Sequence, residues 1–195
     1  MTKTLINLIA YIFTVSITYG QANFFDTLAD STLVLTEQSV RYDPSYFSID
    51  YPNGDIPSDK GVCTDVVIRA YRKLGVDLQK EVHEDMISNF NKYPKNWGLT
   101  RPDKNIDHRR VPNLMTYFTR QGAELEISQN PKDYQPGDVV CWSLGGGITH
   151  IGIVVDKTSS YDTDRHLIVH NIGSGQVLED VLFEYRIIGH YRFEK

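Results

Sequence analysis

The feature that most constrains the fold is a change in hydrophobic periodicity at Gly122. Before it, apolar residues recur at helical spacing; after it, short apolar runs alternate with glycine-containing turns, which is typical of strands. Helices first and an antiparallel sheet second indicate an α+β fold. No repeat, low-complexity tract or linker interrupts the chain, so residues 23–195 are expected to form a single domain.

The periodicity predicts helices over 23–41, 62–74, 81–92 and 112–121. The clearest is 62–74, which Ser58 or Asp59 can cap and which Gly75 ends. Short strands are expected at 125–127, 139–142, 148–155, 167–170, 177–178 and 187–193. The segment 42–60 is predicted to be an aromatic-rich loop.

Residues 1–22 have the three parts of a secretory signal peptide. A weakly positive head with Lys3 precedes an apolar run, and small residues at Gly20 and Ala22 mark a cleavage site. The apolar run of 13 residues is shorter than the roughly 20 that cross a bilayer. An uncleaved membrane anchor is the alternative. We expect an exported protein, periplasmic or secreted, with no membrane association after cleavage.

Composition excludes several classes of protein. The chain has 20 Lys+Arg against 25 Asp+Glu and no basic block, which argues against a nucleic-acid partner. Two cysteines are too few for a disulfide scaffold or a four-thiolate zinc site. Neither a metal nor an organic cofactor is predicted, and the sequence leaves the oligomeric state open.

Three residues far apart in sequence suggest nucleophilic catalysis. Cys63 lies in the first turn of a helix, where the dipole and unpaired N–H groups favour a thiolate. A cysteine nucleophile also needs a base and a group that orients the base. His150 lies in an apolar strand and His170 ends the next, and a hairpin centred near Ser160 or Tyr161 places the two opposite each other. Taken singly, each residue is more often a core residue.

Four segments resemble the NlpC-type cell-wall cysteine peptidases of the papain-like superfamily: GVCTDVVIRAYRKLG, QPGDVVCW, THIGIVVD and LIVHNIGSG. The resemblance implies a papain-like fold, with N-terminal helices packed on an antiparallel sheet. It also implies that Cys63 is the nucleophile, His150 the general base and His170 the residue that orients it. The backbone N–H of Cys63 would help to hold the oxyanion. Val62 and Thr64-Asp65 depart from the peptidases' pattern, which makes the substrate less certain than the chemistry.

A longer resemblance covers residues 40–195. The segments GVCTDVVIRAYRKLGVDLQKEVHEDM, NIDHRRVPNL, HIGIV, HNIG and GHYR are similar to domain-of-unknown-function family 1287, a family of exported bacterial proteins. That family brings little established function. The activity must therefore be argued from the site.

Other residues are candidates for binding substrate. Asp65 can cap the helix, pair with an arginine or bind substrate, and the aromatic loop offers Tyr42 and Tyr46. His108, Arg109 and Arg110 follow Asp107, and two arginines could clamp a carboxylate of a peptidoglycan stem. The equally weighted alternative is that Asp107 pairs with an arginine and the loop packs on itself.

The first hypothesis is a hydrolase that cuts an amide bond of peptidoglycan or a muropeptide through a thioacyl-enzyme. A catalytically silent wall-binding module is the second. The third is an acyl or amide transferase that uses the same three residues. A disulfide between Cys63 and Cys141 is also open, and it would silence the nucleophile or make it redox-sensitive.

Overall fold

The computed structural model describes residues 23–195, and the predicted signal peptide lies outside the described residues. Within residues 23–195, no helix is long and apolar enough to cross a membrane. Helices occupy the first part of this range and strands most of the second, which confirms the α+β class expected from the change in periodicity.

Four α-helices lie in the first part of residues 23–195. They are α1 (Phe24–Leu33), α2 (Cys63–Lys73), α3 (Leu78–Asn89) and α4 (Val111–Arg120). α3 begins before the expected residue 81, because the side chain of Asp77 accepts a hydrogen bond from the N–H of Gln79 and caps the helix. α1 is shorter than the expected helix over 23–41, since the chain tightens into a 3₁₀ helix over Val34–Glu37.

The strands form two sheets. They are β1 (Arg41–Tyr42), β2 (Lys60–Gly61), β3 (Val139–Gly145), β4 (Ile148–Thr158), β5 (His166–His170), β6 (Val177–Glu179) and β7 (Arg186–Tyr191). β1 and β2 form a short parallel pair just before α2. The other five strands form one antiparallel sheet in the order β6-β5-β4-β3-β7, with β4 at its centre.

Side chains of the central strands alternate between two cores. Cys141, Ile151 and Val169 face the helices and join the larger core, which includes residues of all four. The opposite face carries a smaller core, which consists of Tyr134, Val140, Trp142, Val154, Ile168 and Leu182. Each face of the sheet is therefore covered.

The strand expected at 125–127 is wrong. In this segment only single contacts reach the edge strand β7: a bridge between Glu124 and Tyr191, and a hydrogen bond from the N–H of Leu125 to the carbonyl of His190. Leu125 and Ile127 stay partly exposed, so neither face of the segment is buried well enough to hold a longer ladder.

Candidate active site

Cys63 is the first residue of α2, and β2 of the parallel pair β1–β2 ends two residues before it. Val62 is the N-cap, and its N–H donates to a carboxylate oxygen of Asp65 at 2.7 Å. The expected caps Ser58 and Asp59 do not cap α2, because they lie in a turn that precedes β2. The helix therefore starts with a thiol in its first turn, as predicted.

Strand β4 approaches this thiol through its backbone. The N–H of Ile151 lies close enough to the Cys63 sulfur to lower the pKa of the thiol. His150, the predicted base, directly precedes Ile151 and is almost completely buried. Cys63 of α2 therefore lies against the backbone of β4, at the residue that follows the predicted base.

The end of β5 meets the start of α2 from a second direction. Asn171 follows His170 directly, and its side-chain amide donates to the carbonyl of Gly61 at 3.2 Å. Gly61 lies in β2, two residues before the thiol. The residue after each histidine therefore contacts the start of α2 at a different atom: Ile151 through its N–H at the Cys63 sulfur, and Asn171 at the carbonyl of Gly61.

The two imidazoles are in direct contact, as the hairpin geometry predicted. Nε2 of His150 lies 2.8 Å from Nδ1 of His170. The register differs by two residues from the prediction, because His170 pairs with Gly152 and not with His150. The hairpin is centred near Asp162, since the N–H of Ser159 donates to the carbonyl of Arg165, and the irregularity between Val154 and Thr158 reverses part of this displacement. The rings therefore meet across the diagonal.

A carboxylate completes the chain of contacts. Nε2 of His170 lies 2.9 Å from Oε2 of Glu179 in β6. Both side chains stand on the sheet face that carries the smaller core, and the ring of His150 packs on Trp142 with centroids 5.8 Å apart. Glu179 was not among the predicted site residues, although its position at the end of a short apolar strand was a usable signal.

Gly152 allows the two rings to approach. A Cβ at this position would lie 2.7 Å from Cγ2 of Ile168, 2.9 Å from the carbonyl oxygen of Val169 and 3.1 Å from Cβ of His170. The first two distances are shorter than real Cβ contacts, and one of them is to backbone. Only glycine fits here without displacing β5 and the imidazole that it carries.

The thiol is not ionised at rest, contrary to the expectation from the helix dipole. Burial raises the pKa of Cys63 to about 12, and the charge of Asp65 acts in the same direction. The N–H groups of Ile151, Thr64 and Cys63 itself lower the pKa, but less than burial raises it. The resting nucleophile is therefore a neutral thiol.

The imidazoles are also neutral at rest. Burial, and then the neighbouring His170, lower the pKa of His150 to about 3. Burial lowers the pKa of His170 as well, although the Glu179 carboxylate acts in the opposite direction. Among residues 23–195, no hydrogen bond joins the Cys63 sulfur to either ring, and Nδ1 of His150 has no hydrogen-bonding partner.

The predicted binding residue Asp65 pairs with Arg109. Nε and Nη2 of the guanidinium donate to the two carboxylate oxygens at 2.9 and 3.1 Å, and both side chains are buried. The remaining donor, Nη1, binds the carbonyl of Ser45 at 3.1 Å. Because the two side chains bind each other and neither faces an open cleft, the pair supports a structural role for both residues and not substrate binding.

Three other predicted binding residues differ in accessibility. His108 is buried, and burial lowers its pKa to about 3. Arg110 stacks on the half-exposed ring of Trp97, 4.2 Å from the centroid, and lies 3.5 Å from Asp107. Tyr46 is exposed, and its hydroxyl lies in a polar cluster with Asp103 and Asn105. Of these, only Arg110 and Tyr46 have side chains that a ligand could reach.

Tyr42 is a predicted binding residue whose backbone pairs with Gly61, two residues before Cys63. Burial, and then the charges of Cys63 and Asp65, raise the pKa of its phenol. Its side chain is still 42% exposed. Tyr42 is therefore suited to form one wall of a substrate site.

Cys63 and Cys141 are both free thiols, so the disulfide left open by the sequence is not formed. In the part of the chain from residue 23 onward, no group of three or more His, Cys, Asp or Glu side chains could hold a metal ion. A cavity of about 560 Å³ lies between α4 and β7, lined by Met115, Thr116 and Ile188 among others, away from the thiol and the imidazole pair.

Fold and site together define an α+β protein with a thiol at the N-terminus of a helix and a contacting pair of imidazoles on two neighbouring strands. The chain belongs to the family described as "Domain of unknown function (DUF1287)", whose model matches residues 30–193. This confirms the resemblance to that family. "Uncharacterized protein YijF" of Escherichia coli (strain K12) is 52% identical over 173 residues, which cover 89% of this chain and 83% of that protein.

Two solved structures are similar in part. One is an N-acetylmuramoyl-L-alanine amidase from Bacteroides uniformis ATCC 8492, with 15% identity and a TM-score of 0.49, over 88% of this chain and 99% of that chain. The other is NlpC2 from Trichomonas vaginalis, with 13% identity and a TM-score of 0.45, over 91% of this chain and 50% of that chain.

Proposed function

We propose that this protein is an exported cysteine hydrolase that cuts an amide bond in cell-wall peptides. Cys63 is the nucleophile, His150 the general base and His170 the residue that orients the base. The observation that carries the proposal is the 2.8 Å contact between the two imidazoles. The residues that follow them, Ile151 and Asn171, contact the Cys63 sulfur and the Gly61 carbonyl. A nucleophile, a base and an orienting group are the parts that acyl transfer requires.

The protonation states determine how the first step proceeds. Because the thiol is neutral at rest, the proton must leave sulfur as the S–C bond forms. It moves to Nδ1 of His150, while the carbonyl π electrons move onto oxygen. The N–H of Cys63 at the start of α2 stabilises that oxyanion. His150 then returns the proton to the leaving amine, which gives a thioester that water hydrolyses with the same base.

The substrate class is proposed from the resemblance to cell-wall peptidases and from the accessible side chains. Tyr42 pairs with Gly61, two residues before Cys63, and is partly exposed. Arg110 is a cation held against Trp97, and the peptides of peptidoglycan carry several free carboxylates. An aromatic wall and a nearby cation suit an extended peptide with an acidic group.

The test is digestion of purified peptidoglycan and of isolated muropeptides, followed by mass spectrometry of the products. We expect new amine and carboxyl ends with the wild-type protein and none with Cys63→Ala. Cys141→Ala is the matched control, because it removes the other buried thiol and should keep activity. Wild-type activity in Cys63→Ala would refute the proposal.

A catalytically silent wall-binding module is the second candidate. The burial of Cys63 and the pKa of about 12 favour it, because a buried neutral thiol is a weak nucleophile. This reading predicts muropeptide binding that is equal in wild type and Cys63→Ala, with no product from either. A transferase would instead give a product joined to an added amine, so the same mass spectra separate all three functions.

A further inference from the structure

Glu179 belongs to the chain of groups that ends at His150, although it lies on a different strand and contacts only His170. A carboxylate can only accept hydrogen bonds, whereas a neutral imidazole has one nitrogen that donates and one that accepts. In such a series of hydrogen-bonded groups, the carboxylate therefore determines which nitrogen of each imidazole carries the proton.

We propose that Glu179 is a positioning residue that sets the tautomers of both imidazoles and leaves Nδ1 of His150 as the free base. Because the carboxylate accepts from Nε2 of His170, that nitrogen carries the proton and Nδ1 is the acceptor. Nδ1 of His170 then accepts from Nε2 of His150. The lone pair of His150 is thereby left on Nδ1, the nitrogen with no partner among residues 23–195. This role rests on the proposed function of Cys63 and His150.

The same series of hydrogen-bonded groups can stabilise the cation that forms on His150 during the reaction. When Nδ1 of His150 takes the thiol proton, the ring becomes positively charged while its Nε2–H still donates to His170. The Glu179 carboxylate lies one imidazole away, and its charge stabilises the cation through His170. Burial keeps His170 neutral at rest, so this ring can act as the acceptor.

The strand that carries Glu179 is anchored on its other side. β6 has only three residues and is an edge strand, which would leave a side chain there mobile. The next residue, Asp180, accepts two hydrogen bonds from Arg165 at 2.7 Å each and one from Ser159. These contacts tie the end of β6 to the β4–β5 connection, which holds the carboxylate against His170.

The experiment reads the tautomers directly. Long-range ¹H–¹⁵N spectra of the ¹⁵N-histidine-labelled protein at pH 7, assigned with His150→Gln and His170→Gln, should show both rings protonated at Nε2. In Glu179→Ala, His170 should become a mixture of tautomers, and kcat for muropeptide cleavage should fall about tenfold at unchanged KM. Glu184→Ala, at an exposed glutamate outside the cluster, is the matched control and should change neither.

The outcomes separate this inference from the proposed function. Protonation of His150 at Nδ1 in the wild type, or unchanged tautomers in Glu179→Ala, would overturn the role of Glu179 whether or not the protein is active. If the tautomers are as expected but wild type cleaves no muropeptide, Glu179 still positions the rings and the proposed hydrolase is the part that fails. Because the Glu179 side chain is 47% exposed, we expect the alanine variant to fold.

Discussion

The sheet carries two buried histidine–carboxylate clusters that differ in one respect. In the first, His190 of β7 uses both ring nitrogens: Nδ1 lies 3.0 Å from the carbonyl of Glu126 and Nε2 lies 2.9 Å from Asp138. In the second, His150 of β4 uses only Nε2. The cluster in which every atom is occupied holds the fold together, and the one with a free nitrogen is available for chemistry.

The saturated cluster fastens the C-terminal strand. Asp138 is fully buried and also accepts from Arg192 at 2.6 Å and from the N–H of Gln135 at 2.8 Å. The ring of His190 stacks on Tyr134 with centroids 4.3 Å apart. These contacts join β7 to the turn before β3, so the cluster contributes to stability and offers no free atom to a substrate.

The largest expected effect comes from exchanging the two histidines for alanine. His150→Ala should lower kcat for muropeptide cleavage by roughly 10²- to 10⁴-fold, because it removes the general base. His190→Ala should keep most activity but lower the free energy of unfolding by about 1–3 kcal/mol, since it leaves a buried Asp138 short of a partner. Activity assays and urea denaturation of both variants measure these losses. Equal losses of activity in the two variants would contradict the distinction between the two clusters.

The next largest effect concerns the buried pair of Asp65 and Arg109. Removing one partner leaves an unpaired buried charge, so Asp65→Ala and Arg109→Ala should each lower the free energy of unfolding by about 3–5 kcal/mol. Asp65→Ala also removes the acceptor for the Val62 N–H. Urea denaturation checks this, with Asp30→Ala, at an exposed position of α1, as the control. Losses below about 1 kcal/mol would mean that the pair does not hold the start of α2.

A more gradual effect is the dependence of stability on pH. His108 and His150 have pKa values of about 3 in the folded protein against 6.5 unfolded, so the unfolded chain binds more protons between these limits. Stability should therefore fall on acidification below pH 6.5, by about 1.4 kcal/mol per pH unit for each imidazole. Burial raises the pKa of Asp107 to about 6, and between pH 6 and 3.8 this carboxyl offsets the contribution of one of the two imidazoles.

The control for this pH dependence is a variant with one fewer buried imidazole. His150→Gln should flatten the slope of the free energy of unfolding by about 1.4 kcal/mol per pH unit over the same range. Urea denaturation at a series of pH values between 7 and 4 measures the slope. An unchanged slope would show that His150 is not kept neutral by burial.

Much of the fold and part of the site follow from local patterns in the sequence. The spacing of apolar residues predicted α2 with Cys63 in its first turn, and the assumed centre of the hairpin predicted the contact between His150 and His170. The predicted register is wrong by two residues because the hairpin is centred near Asp162 and not at Ser160 or Tyr161, and the polar connection has no hydrophobic pattern that fixes its centre.

What the sequence could not show depends on distant partners. The pair of Asp65 and Arg109 joins residues 44 positions apart, and nothing local distinguishes a pairing arginine from a free one. The pKa of Cys63 was expected to be low from its helix position alone, but burial by the sheet and helices outweighs the N–H groups. Glu179 was missed because its role exists only through His170.

Gly152 has a consequence for how this protein can vary. Any side chain at this position would collide with β5, so it would shift His170 away from His150 even if the core absorbed the strain. If position 152 were randomised and the library sorted first for folding and then for cleavage, some small residues could pass the first sort. We expect the second sort to return glycine alone. At position 152, therefore, more residues should be compatible with folding than with cleavage.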